Sequence, residues 1–231
     1  MEIRKRPSPN FGDRHGAVSP DIILIHYTAM LDAEAALDRL CDPSAEVSAH
    51  YLLEETGEVW QLVDESCRAW HAGRGQWGDI TDVNSRSIGI ELANPGSLKG
   101  FPPFPDVQVT SLERLIDDLM SRWNIPKQRV LGHSDIAPGR KSDPGPKFDW
   151  KRLAMGDRAF WPKDVSSITG GGWEAFRFAL SEAGYGVNSI EDAELLGAFR
   201  LHYCPWRLGL ELEDEDILIA DALPGVERTA I

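Results

Sequence analysis

Cysteine is scarce in the 231-residue chain, and the three present, Cys41, Cys67 and Cys204, lie far apart with no Cys-x-x-Cys pair. Such spacing builds neither a zinc knuckle nor a disulfide scaffold, and reduced thiols are the simplest reading. No block of basic residues stands out, and the formal net charge is -13. A nucleic-acid surface or an anionic membrane is therefore not expected as a partner. Long apolar runs are absent too: Arg4, Lys5 and Arg6 are followed by Pro7, Ser8, Pro9 and Asn10 instead of the hydrophobic stretch of a leader. This pattern predicts no signal peptide, no membrane insertion and a cytoplasmic location, with the periplasm as the alternative if a leader was removed. A His-Glu-x-x-His segment, which would suggest a common metallopeptidase, is also missing. What remains is 42% hydrophobic and 26% charged, the composition of a globular protein. The length accommodates one catalytic domain and a small appendage.

Asp21 to Ile25 is a short aliphatic run that reads as a strand buried on both faces, stopping at His26. Asp32 to Leu40 reads as a helix closed by Asp42-Pro43. Val47 to Leu53 and Glu58 to Val63 read as two strands joined at Thr56-Gly57, and Ser87 to Leu92 as a further strand with Glu91 near its end. Leu112, Leu115, Ile116, Leu119 and Trp123 follow helical spacing, with Thr110 and Glu113 placed as a capping box. Arg129 to Leu131 leads into Gly132-His133, after which Pro138, Gly139, Pro144, Gly145 and Pro146 predict a stiff loop. Gly156 to Gly172, with Gly170-Gly171-Gly172 at its end, reads as a linker. Beyond it, Trp173, Phe176 and Leu180, then Leu196, Phe199 and Tyr203, then Glu215 to Leu223 predict three helices.

Of the six histidines, His26 and His133 carry the most weight, one closing a buried strand and the other opening a rigid loop that holds Asp135, Lys141 and Asp143. Any single histidine is more often a hydrogen-bonded structural residue than a ligand. Two imidazoles with one carboxylate, however, are the ligand set of catalytic zinc sites, which keep a fourth position open for water. His26, His133 and Asp143 are candidates for that set, although spacing alone does not bring them together.

Five segments occur in one order: Ile25-His26-Tyr27-Thr28, Val47-Ser48-Ala49-His50-Tyr51, Ala69-Trp70-His71-Ala72-Gly73, Ser87-Ile88-Gly89-Ile90-Glu91, and the run from Gly132-His133-Ser134-Asp135 through Lys141-Ser142-Asp143 to Pro146. Over residues 18 to 152 this closely resembles the zinc-dependent N-acetylmuramoyl-L-alanine amidases of the peptidoglycan-recognition-like, AmpD/AmiD type. The resemblance implies an α/β (α+β) fold, a mixed central sheet flanked by helices with the metal in a groove on one face. It also implies Zn2+ held by His26, His133 and Asp143, with Glu91 as catalytic glutamate and Lys141 as catalytic lysine.

The implied activity is hydrolysis of the amide between the muramic-acid lactyl group and L-alanine, in peptidoglycan or in soluble anhydro-muropeptides. Zinc lowers the pKa of a water it holds to about 7. Glu91 would take that water's proton and pass it to the leaving nitrogen, and Lys141 would stabilise the oxyanion. The bland alternatives are a strand-end charge at Glu91 and, at Lys141, a surface lysine paired with Asp135 or Asp143. His50 and His71 orient ligands, contact substrate or are structural, with a supporting role favoured for His50. Trp70, Trp77 and Asn94 are candidate groove residues.

The expected domains are 1–155, catalytic; 156–172, linker; and 173–231, a small three-helix domain similar to a peptidoglycan-binding module. The competing reading of the last is a helical cap that stabilises the catalytic domain. A non-catalytic recognition protein on the same fold is the alternative function, and its signature would be loss of a ligand or of the catalytic pair.

Overall fold

The computed structural model describes residues 2–16, 19–162 and 171–226. Its strands are β1 (Ile3–Lys5), β2 (Phe11–Asp13), β3 (Ile22–Tyr27), β4 (Tyr51–Leu53), β5 (Val59–Gln61), β6 (Cys67–Ala69), β7 (Ser87–Leu92) and β8 (Val130–Gly132). Its helices are α1 (Ala33–Cys41), α2 (Val83–Arg86), α3 (Asp106–Trp123), α4 (His133–Ile136), α5 (Trp150–Met155), α6 (Gly172–Ala183), α7 (Asp192–Tyr203) and α8 (Asp214–Asp221). Six strands form a mixed sheet in the order β1-β5-β4-β7-β3-β8, and β2 pairs with β6 in a separate ribbon.

The aliphatic run of β3 places it inside the sheet, parallel to both β7 and β8. Its period of two divides the molecule into layers. Ile23 and Ile25 join Ile88, Ile90 and Val130 against the α3 stripe of Leu112, Leu115, Ile116 and Leu119. Burial of each such aliphatic side chain contributes about 1.5–3 kcal/mol. Ile22 and Leu24 face the other way, where Leu131 and Ile136 share one core with Phe176, Leu180, Leu195 and Phe199 of α6 and α7. α1 covers the remaining part of that face through Leu37 and Leu40 on Leu52 and Leu62. The next residue of the same parity on β3 is His26, beyond the edge of the apolar cover. It is registered opposite Glu91 of β7, which is in turn opposite Leu52 of β4.

Several expected boundaries move. α3 starts after Pro105, not at Thr110: proline is extended there, and Val109 already belongs to the buried stripe. Thr110 and Glu113 are mid-helix residues whose side chains instead receive Arg152. The hairpin at Gly57 is real but its strands are shorter, because Val47 to His50 runs outside the ladder. Ile3–Lys5, to which the sequence reading assigns no element, adds a parallel edge strand to β5. His133 opens a single helical turn before the stiff loop begins.

The three C-terminal helices lie where the periodicity predicts them, and α6 ends on Gly184 with φ +114, a backbone state that suits glycine. Within the expected linker, Ala159 is buried and Trp161 packs against the core, while 163–170 lies outside the described residues. No helix among the described residues is long and apolar enough to cross a membrane.

Candidate metal and amidase site

The sheet brings His26 to the end of β3, and the Gly132 backbone turn brings His133 beside it from the adjacent β8. Asp143 returns to the same point because the loop folds back on α4: the Ser134 amide donates to the Asp143 carbonyl at 3.0 Å. The three donor atoms form a tight triangle. His26 Nδ1 lies 3.0 Å from His133 Nδ1 and 2.8 Å from Asp143 Oδ2, and His133 Nδ1 lies 3.0 Å from that oxygen. All three residues are buried.

The surrounding hydrogen bonds fix which nitrogens carry protons. His133 Nε2 is 2.8 Å from the Ala72 carbonyl, which only accepts, so Nε2 bears the hydrogen and Nδ1 a lone pair. For His26 the reasoning runs through two more residues. Ser87 Oγ donates to the Val83 carbonyl at 2.6 Å and so accepts from His71 Nε2 at 3.4 Å. His71 Nδ1 then accepts from His26 Nε2 at 3.1 Å, leaving His26 Nδ1 unprotonated. Burial, and then the neighbouring His133, push the His26 imidazole down to about 4, so it is neutral near pH 7.

Two nitrogen lone pairs and a carboxylate oxygen therefore converge with no proton to share, an arrangement that a cation resolves. Ligand atoms of a tetrahedral ion bound at about 2.0–2.1 Å are separated by roughly 3.3 Å. The observed triangle is within a few tenths of an ångström of that spacing, and the three side chains fit a metal ion.

The cavity over this triangle has a volume of about 630 Å³, and His71, Glu91 and Lys141 also line it, with Trp70 on its wall. Glu91 Oε2 is buried and has no hydrogen-bond partner among the described residues. Burial, reinforced by Asp143 and opposed by Lys141, pushes the Glu91 carboxyl up to about 8. Lys141 is exposed and, among the described residues, forms no ion pair. The pairing considered for it with Asp135 or Asp143 is thus not what the structure contains: Asp143 faces the two imidazoles, and Asp135 is wholly buried and engaged elsewhere.

The remaining candidates separate clearly. His71 is the partner that orients His26, and its ring lies over Gly89, where a Cβ would approach it to 2.5 Å. Gly89→Ala is expected to displace His71 and to destabilise the protein by about 1–3 kcal/mol, the usual cost of overpacking, measurable by urea unfolding. His50 is one step farther out. Its Nδ1 accepts from the Gly89 amide and its Nε2 donates to the Cys67 carbonyl, so it braces β7 and packs against His71 without touching His26, His133 or Asp143.

Trp77 does not line this cavity. It is 5% exposed and packs edge-on to Tyr185 at 5.1 Å in the core shared with the C-terminal helices, because its flanking chain pairs with Tyr185. Asn94 is also withdrawn from the cavity. Its amide donates to the Pro102 carbonyl and its carbonyl accepts from the Gly96 amide, which shapes the loop after β7.

Burial, and then Arg14, push the His50 imidazole down to about 3, whereas in the unfolded chain it titrates near 6.5. The unfolded state therefore binds the extra proton first as pH falls. The contribution of neutral His50 is complete above pH 6.5 and is lost as pH drops from there toward 3. Urea titrations of metal-free wild type and His50→Gln between pH 6 and 4 are expected to show a slope shallower in the variant by up to about 1.4 kcal/mol per pH unit.

Sequence reasoning missed Arg140, Tyr185 and His202. Arg140 donates to the Ala72 carbonyl at 2.8 Å, the same oxygen that receives His133, and also to the Arg74 carbonyl. Its place in the Gly-Arg-Lys run was a usable signal, whereas nothing in the local sequence of Tyr185 or His202 distinguishes them.

Comparison with known proteins identifies the family. The sequence pattern of the N-acetylmuramoyl-L-alanine amidase family matches residues 16–146. The N-acetylmuramoyl-L-alanine amidase AmiD of Escherichia coli (strain K12) is 35% identical over 227 residues, covering 87% of this chain and 81% of AmiD. The 1,6-anhydro-N-acetylmuramyl-L-alanine amidase AmpD of Citrobacter freundii is 33% identical over 169 residues, 66% of this chain and 88% of AmpD. Among solved structures, E. coli AmiD in complex with the substrate anhydro-N-acetylmuramic acid-L-Ala-D-gamma-Glu-L-Lys aligns with a TM-score of 0.80 at 33% identity, covering 93% of this chain and 96% of that one. AmpDH3 from Pseudomonas aeruginosa aligns with a TM-score of 0.80 at 30% identity, covering 94% of each chain. A pattern that spans more than half of the sequence, together with relatives alike in fold over nearly all of it, places the chain in the N-acetylmuramoyl-L-alanine amidase family.

Proposed function

We propose that the protein is a zinc-dependent amidase that hydrolyses the bond between the lactyl group of 1,6-anhydro-N-acetylmuramic acid and L-alanine in muropeptides. The observation that carries this reading is the triangle of two bare imidazole nitrogens and one carboxylate oxygen at the floor of the cavity, beside a buried carboxylate that lacks a partner among the described residues. The anhydro sugar is suggested by the relatives. AmiD was solved with an anhydromuramyl tripeptide, and the AmpDH3 complex contains an anhydromuramic pentapeptide.

Zn2+ is the ion that suits two nitrogens and one oxygen with an open fourth position, and when bound it supplies Lewis acidity and lowers the pKa of water to about 7. Glu91 is the proton carrier. Burial raises its proton affinity, which suits return of the proton to the departing alanine nitrogen, while the nearby Lys141 cation favours the ionised form that accepts the proton first. Lys141 reaches the same cavity from the loop, and its free ammonium is the donor for negative charge developing on the lactyl oxygen. His71 and Ala72 hold the two imidazoles in the tautomer that keeps Nδ1 bare. Trp70 offers an aromatic wall for the sugar.

Lys141→Ala is expected to lower kcat by about 10²–10³-fold, the effect of removing one preorganised oxyanion donor, without loss of zinc; turnover and metal content of the purified variant check it. The reading itself is tested by metal analysis and product analysis on the wild type. About one zinc per chain and release of an intact stem peptide beginning with L-alanine are expected. Cleavage between two peptide residues, or binding of the muropeptide without cleavage, would refute it. The second of those outcomes is the signature of a recognition protein.

A further inference from the structure

The carboxylate of Asp135 lies two residues beyond His133 and is wholly buried. Its Oδ2 accepts from the Gly132 amide at 2.7 Å, which locks the turn that launches His133 from β8. No side chain fits at Gly132: a Cβ there would come within 2.8 Å of Pro144 and 3.1 Å of Trp150. The other donors to Asp135 come from the far end of the chain. Tyr185, just after α6, donates its hydroxyl to Oδ1 at 2.7 Å, and His202 of α7 donates Nδ1–H to Oδ2 at 2.7 Å.

The setting of His202 indicates what the residue is for. Its ring stacks on Trp150 at 3.8 Å and on Tyr203 at 4.1 Å, while Nε2 is buried with no hydrogen-bond partner among the described residues. An unpaired buried nitrogen carries a cost that an apolar aromatic ring in the same stack would not. Among the described residues, the bond from Nδ1 to Asp135 is the one polar contact that accounts for a histidine at this position.

We propose that Tyr185 and His202 are positioning residues for the metal centre, acting through Asp135 on the backbone turn that carries His133. The C-terminal helices are then a structural part of the catalytic machinery, whatever else they bind. This inference rests on the reading of His133 as a zinc ligand. Partners outside the ligand set typically alter metal affinity by about 10–100-fold, and a contact relayed through the backbone belongs at the lower end.

The test uses the full chain with Tyr185→Phe, His202→Phe, which keeps the stacking ring but has no donor, and His202→Asn, whose amide nitrogen replaces Nδ1–H. Three readouts apply: zinc affinity by competition with a chromogenic chelator, kcat and KM on an anhydromuramyl tripeptide, and hydrogen exchange of the Gly132 amide in metal-free protein. Tyr185→Phe and His202→Phe are each expected to bind zinc about tenfold more weakly, to lose kcat with KM nearly unchanged, and to exchange Gly132 faster; His202→Asn should be close to wild type. Wild-type affinity and wild-type Gly132 exchange in folded Tyr185→Phe and His202→Phe would overturn the proposal. So would a His202→Asn variant as impaired as His202→Phe. Because the exchange measurement needs no metal, it stands or falls separately from the zinc assignment. Tyr185→Phe, which removes a single oxygen, supplies the result if a His202 variant does not fold.

Discussion

Glu91→Gln is expected to reduce kcat on an anhydromuramyl peptide by on the order of 10²–10⁴-fold, the usual contribution of a positioned general acid-base, while zinc content and KM stay close to wild type. The substitution preserves shape, and the carboxylate makes no bond through Oε2 that the fold would lose. A second effect has the opposite sign. The Glu91 carboxyl is pushed up to about 8, against 4.5 in the unfolded chain, so between those values the native state holds a proton that the unfolded state has released. The contribution of Glu91 to the stability of the metal-free protein therefore falls as pH rises from 4.5 to 8, by up to about 1.4 kcal/mol per pH unit, against the opposite slope from His50 below pH 6.5. The glutamine variant does not titrate there and is expected to be more stable than wild type at pH 8 in the absence of metal. A variant less active yet more stable distinguishes a functional carboxylate from a structural one; loss of both properties together would argue for the latter.

Asp143→Ala is expected to abolish zinc retention through purification and, with it, turnover. Its Oδ2 is the corner of the triangle that touches both imidazole nitrogens, and the only anionic one. Zinc sites in proteins bind with about 10–16 kcal/mol, so one donor among three or four is worth roughly 3–4 kcal/mol, on the order of 10²–10³-fold in affinity. The backbone link from Ser134 to the Asp143 carbonyl survives the substitution, so the loop itself is expected to stay in place. Metal analysis after dialysis, with urea unfolding as a check on folding, reads the two effects apart.

The sequence made the strands and the helical faces legible because burial imposes periodicity on them. Ser87 to Leu92 and the α6 stop at Gly184 are strong local signals, and the structure places both where they point. The proximity of His26, His133 and Asp143 was not a local signal. It depends on β3 and β8 being neighbours although 102 intervening residues separate Tyr27 from Val130 in the chain, a pairing that only the family resemblance suggested. Individual polar residues were harder still. Asn94 and Trp77 carry groove-compatible side chains, yet a turn consumes the amide of one and the core shared with the C-terminal helices the ring of the other. His71 and His50 look alike in sequence, and only the hydrogen bonds distinguish the residue that orients His26 from the one that braces β7. Asp135 was visible merely as a neighbour of His133, because its partners Tyr185 and His202 are 50 and 67 residues away.

The most direct measurement of the central claim is anomalous diffraction at the zinc edge from crystals grown with one equivalent of zinc. A single strong peak is predicted, about 2.0–2.1 Å from His26 Nδ1, His133 Nδ1 and Asp143 Oδ2, with its open side toward Glu91. A peak bound through the Nε2 atoms, a peak elsewhere in the molecule, or no peak at all would contradict the account.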